Sequence, residues 1–110
     1  MPRALSVARV TVSPERQGEY LAALRELAAL AAARGQHIWV FKSKREPDEF
    51  LEFSESPSPM SHRHHASRLP EELRLEQRLR RVAAYAPDSA ELWEEIPLEV
   101  PEVSGENEIE

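Results

Sequence analysis

The chain has no cysteine, so disulfides, a thiolate nucleophile and cysteine-ligated metals are all excluded. It has only 3 glycines among 110 residues. Aromatic residues make up 6% of the chain, so each Trp, Tyr and Phe carries weight in any reading of core or pocket. There is no surplus of positive charge: Lys and Arg total 14 against 20 Asp and Glu, a net charge of −6. That balance excludes a general phosphate-binding surface, and no nucleic-acid partner is expected. The Arg-rich stretch Arg74, Arg78, Arg80, Arg81 is interleaved with Glu71, Glu72 and Glu76 and reads as a solvated helix face. Long apolar runs are also missing. The most apolar stretch, residues 21–33, contains Arg25 and Glu26 and is too short to cross a bilayer. The first residues carry no apolar run of the secretory kind, so a cytoplasmic protein with no membrane partner is expected.

What is present is a regular alternation of element types in a chain the size of one small domain. Residues 4–12, ALSVARVTV, are β-branched and read as a strand, with Ala8, Val10 and Val12 on one face and Val7, Arg9 and Thr11 on the other. Ser13-Pro14-Glu15 is a helix start, with Ser13 placed to accept a bond from an orphan amide and Pro14 at the first helical position. Tyr20, Leu24, Leu27 and Ala31 recur at helical spacing to about Arg34, and Gly35 suits a left-handed cap.

Residues 37–43 form a second strand, with His37, Trp39, Phe41 and Ser43 on one face and Ile38, Val40 and Lys42 on the other. Residues 49–54 form a third, with Phe50, Glu52 and Ser54 opposite Leu51 and Phe53. The short polar turn between them predicts an antiparallel hairpin. Pro70 starts a second helix, carried by Leu75, Leu79 and Val82 and ending near Tyr85. Residues 90–98, AELWEEIPL, read as the fourth strand. The order β-α-β-β-α-β predicts a ferredoxin-like α+β domain over residues 1–100, a four-stranded antiparallel sheet with both helices on one face. Residues 101–110 are an acidic tail or an arm that packs on a partner.

Two helices cover one side of such a sheet. Both faces of the second strand carry large apolar groups, Trp39 and Phe41 on one and Ile38 and Val40 on the other, and burying a large aromatic is worth roughly 2–3 kcal/mol. A second copy of the chain is the simplest cover, so a homodimer is expected.

The element order, the hairpin HIWVFKSKREPDEFLEFSES, the helix PEELRLEQRLRRVAAY and the closing strand ELWEEIPLEV resemble the dimeric α/β-barrel superfamily over about residues 4–98. The resemblance is nearest to the antibiotic biosynthesis monooxygenase and stress-responsive barrel families. It implies sheets paired into a barrel, a pocket between sheet and helices or inside the barrel, and binding of a small apolar or aromatic molecule. Among the activities it implies is oxygenation without a cofactor, and no cofactor is expected. Fold alone does not choose among them.

Candidate residues are few. Three of the 4 histidines crowd into residues 62–65, His62, His64 and His65. Exposed loop imidazoles are the expectation there. The alternatives are a pocket role for His62 or His65, a divalent ion held by a histidine pair with Glu52 or Glu55 as a third ligand, and haem bound through the histidines. His37 begins a strand in register with Trp39, as a satisfied imidazole or as the base of a pocket. Glu52 is a general base if buried, and the expectation is that it is solvated. Trp39, Phe41 and Trp93 are the aromatic lining of a pocket or of a subunit interface.

Overall fold

The computed structural model describes residues 2–58, 69–89 and 91–98. In chain order these are β1 (Ala4–Thr11), a 3-10 turn (Pro14–Arg16), α1 (Gln17–Ala32), β2 (His37–Lys42), β3 (Glu49–Ser56), α2 (Pro70–Val82), β4 (Ala84–Tyr85) and β5 (Trp93–Glu94). The antiparallel sheet runs β2-β3-β1-β4, with β5 also on β1. The ferredoxin-like order predicted from the sequence is therefore the one observed, with β1 and β3 in the middle.

The alternation in each strand decides what the sheet presents to either side. Ala4, Ser6, Ala8 and Val10 of β1 are buried, as are Phe50, Glu52, Ser54 and Ser56 of β3, all on the helix side. Tyr20, Ala23, Leu24 and Leu27 of α1 and Leu75, Leu79 and Val82 of α2 complete this core. The apolar stripes read from helical spacing are the buried ones. Among the described residues no layer covers the opposite face. Register places Val7 beside Phe53 and Phe53 beside Trp39, and in the next row Arg9 beside Leu51 and Leu51 beside Phe41. Phe41 and Phe53 meet edge to face, their centroids 5.5 Å apart. Trp39 is 45% and Phe41 58% exposed.

The ends of the elements follow local chemistry with two corrections. Ser13 accepts from the Arg16 amide through its backbone carbonyl at 2.9 Å, and its hydroxyl makes no capping bond. A 3-10 turn tightens the chain there before α1 begins, which leaves the expected side-chain cap unformed. Gly35 takes the left-handed conformation (φ 79°) that ends α1, and the Gln36 amide reaches back to the Ala31 carbonyl at 3.0 Å. The second correction is the fourth strand. Of the fourth strand expected over 90–98, the described residues 91–98 pair only through Trp93 and Glu94, opposite Leu5 and Ala4. Ala84 and Tyr85, directly after α2, pair with Thr11 and Val10. The outer edge of β1 is thus shared by two short strands.

Candidate functional site

The two faces of the sheet carry two different constellations. On the helix side, Glu52 is 4% exposed, which corrects the expectation that it is solvated. Its Oε2 accepts the Tyr20 hydroxyl from α1 and the Tyr85 hydroxyl from β4, each at 2.6 Å. These are the chain's 2 tyrosines. Burial, with the Glu52 carboxylate beside it, pushes the Tyr20 hydroxyl above the ordinary tyrosine range, so it stays a neutral donor. Tyr85 is half-buried and brings the cluster toward the surface, with the Arg80 guanidinium 5.4 Å above its ring.

The other buried carboxylate among the described residues, Glu72, is of another kind. It binds the Arg34 guanidinium at 2.8 Å and caps the Leu69 amide at 2.9 Å. Glu52 has phenols where Glu72 has a cation. An apolar crevice of about 220 Å³ opens on the same layer, lined by Leu21, Leu24, Arg25, Ala28, Ile38 and Val40. Val40 is the cross-strand neighbour of Glu52.

On the open face, Trp39 and Trp93 line one cleft of about 420 Å³ with Leu5, Arg3, Glu55 and Glu95. Register brings them together: Trp93 pairs with Leu5, Leu5 with Glu55, and Glu55 with His37. His37 stacks on Trp39 at 5.8 Å and 15°, and its Nδ1 lies 3.2 Å from Glu55 Oε1. Arg3 binds Glu55 at 2.6 Å and Glu95 at 3.1 and 3.2 Å. The Arg3 guanidinium holds the Glu95 carboxyl below the ordinary carboxylate range.

The candidates named from sequence therefore divide. His37, Trp39 and Trp93 share one end of the open face. Phe41 lines a different cavity of about 240 Å³ with Arg9, Lys42 and Leu51. Glu52 lies on the opposite side of the sheet from all of them, so it shares no pocket with His37. His62, His64 and His65 lie outside the described residues. Among the described residues no group of three His, Asp or Glu could hold a metal ion, and no helix is long and apolar enough to cross a membrane.

Tyr20 and Tyr85 were not foreseen as site residues. The signal for Tyr20 was a polar-tipped ring in a Leu/Ala stripe, since a buried phenol needs a hydrogen-bond partner.

No protein-family model matches the chain, and no curated protein matches it. Solved structures do. A cofactor-independent oxygenase from Streptomyces nogalater, SnoaB, superposes with a TM-score of 0.68 at 14% identity, covering 93% of this chain and 99% of that one. A candidate antibiotic biosynthesis monooxygenase from Chloroflexus aurantiacus J-10-fl gives 0.65 at 21% identity, with 91% and 96% covered. The chain shares the ferredoxin-like fold of these proteins. A conserved protein of unknown function from Bacteroides thetaiotaomicron VPI-5482, described as a possible oxidoreductase, shares this fold with a TM-score of 0.70 at 16% identity, covering 84% and 97%. At such identities the α+β fold is what is shared, and residue roles must come from this chain's own geometry.

Proposed function

We propose that the protein is a homodimer that binds a small apolar or aromatic molecule against the helix-covered side of each sheet and oxygenates it without an added cofactor. The observation that carries this reading is the Glu52 carboxylate, buried among apolar side chains with only the Tyr20 and Tyr85 hydroxyls as its partners among the described residues. A carboxylate in that setting is a base kept from water.

The chemistry follows from those three groups. A substrate with an activated CH₂ between unsaturated rings is both a carbon acid and an electron source. Glu52 takes a proton from that carbon. As its negative charge is quenched, a tyrosine hydroxyl is released to donate to the oxyanion forming on the substrate. Dioxygen then adds to the carbanion. The CH₂ becomes C=O, one oxygen atom staying on carbon and the other leaving as water, so no external reductant is needed. The crevice lined by Leu21, Leu24, Ile38 and Val40 offers an apolar wall to the ring. His37, on the far face, takes no part.

Pairing rests on the open face. Val7, Leu51 and Phe53 are half-buried, and Phe41 projects beside them. A second copy laid on this row removes those rings from water.

Oxygen uptake with an activated diaryl methylene, in cofactor-free buffer, tests the reaction. Glu52→Gln is expected to lower kcat/KM at least 100-fold with the folded spectrum retained. Uptake by Glu52→Gln at the wild-type rate, or none by the wild type with any such substrate, overturns it.

A further inference from the structure

The cleft at the end of the open face is chemically unlike the apolar crevice on the helix side. Both tryptophans of the chain line it, Trp93 being 59% exposed. Leu5 adds an apolar wall, and Glu55, Glu94 and Glu95 add three carboxylates against the single guanidinium of Arg3. Each nitrogen of the Arg3 guanidinium already donates to a carboxylate, Nε and Nη2 to Glu95 and Nη1 to Glu55. An anionic ligand would meet three carboxylates around that one cation. The charge left over is negative.

From the two indoles and the surplus carboxylates, we infer that this cleft is a binding site for a small organic cation of the alkylammonium type. Indole faces attract cations through the ring quadrupole, and Trp is the best of the aromatic residues for this. The methyl groups of a quaternary ammonium also bury against apolar surface, which a hydrated metal ion cannot do. The carboxylates supply the long-range attraction. Glu94 makes no ion pair among the described residues and is the open countercharge. Glu55 and Glu95 keep Arg3 out of competition for the indoles. At about 420 Å³ the space fits a head group of a few heavy atoms and part of a chain. The inference is independent of the Glu52 chemistry, since the site lies on the other face of the sheet.

Because the chain's only tryptophans line the cleft, intrinsic fluorescence reads it directly. The experiment titrates the whole protein at pH 8 with choline, with the neutral isostere 3,3-dimethylbutan-1-ol, and with phosphatidylcholine vesicles. It is run at two protein concentrations, above and below the midpoint of any self-association. Saturable binding of free choline is expected at one or both concentrations. The neutral isostere should bind at least tenfold more weakly. Trp93→Ala should weaken choline about tenfold by calorimetry, and Glu94→Gln should weaken it several-fold with the loss growing at low salt. Both positions are exposed, so neither variant threatens folding. No choline binding at either concentration overturns the inference. So does equal affinity for choline and its isostere, or binding to vesicles without binding to free choline. Oxygenase activity is read separately, so its absence leaves this test intact.

Discussion

Arg34 Nη2 lies 2.8 Å from Glu72 Oε2, tying the end of α1 to the first turn of α2 through a carboxylate that is 1% exposed. The two helices cover the sheet's inner face, so this bond ties together the roof over the candidate site. Removing one partner of such a pair leaves the other buried without compensation. Arg34→Ala should cost about 2–3 kcal/mol in urea unfolding. Glu72→Gln, which keeps an acceptor for the Leu69 amide, should cost less.

Tyr20 makes stability sensitive to alkali. Its folded-state hydroxyl is raised above the ordinary value of 10.0, whereas the unfolded chain releases that proton near the ordinary value. The folded protein therefore binds more protons than the unfolded one above about pH 10, and stability falls as pH rises past that point. Below it the contribution is complete. One such group gives a slope of about 1.4 kcal/mol per pH unit. Tyr20→Phe should be less stable than wild type at pH 8 by about 1–2 kcal/mol, because Glu52 loses a donor. Its deficit should shrink between pH 10 and 11. Urea unfolding across that range checks the convergence, and a constant deficit contradicts it.

Gly35 ends α1 at a positive φ of 79°, with open space where a Cβ would stand. Strain rather than collision decides the outcome there. Gly35→Ala should lower stability by about 1 kcal/mol, read as a shift in the urea midpoint with an unchanged slope.

Phe41→Glu puts a charge into the row we take to be the subunit contact. Phe41 is exposed in a single chain, so the substitution should change protomer stability by no more than about 0.5 kcal/mol. Sedimentation should show wild type as a dimer at micromolar concentration and Phe41→Glu as a single chain with the same far-UV spectrum. A wild-type monomer at that concentration would remove the pairing reading.

The sequence made some of this legible and hid the rest. Helical spacing in Tyr20, Leu24, Leu27 and Ala31, and alternation in HIWVFK and EFLEFS, are local patterns, and the elements they mark are present. The fourth strand was not local. Ala84 and Tyr85 are too few to show a period, and their strand character comes from β1 beside them. Glu52 was placed on the correct face with Phe50, but its donors lie 32 and 33 residues away, a separation no pattern along one strand reveals. Strand parity separates His37 from Glu52. The hairpin pairs His37 with Glu55, an odd position, so the even positions of β3 face the other way. A connection of uncertain length leaves that parity open.

β4 and β5 hold β1 only at its two ends, and no strand lies opposite residues 6–9 on that side among the described residues. β5 itself is two residues long and is anchored by the Arg3–Glu95 fork and the bond from the Glu95 amide to the Arg3 carbonyl. Its amides should therefore exchange with solvent far faster than those of β3, through a partial opening that peels the closing strand and leaves the body of the sheet intact.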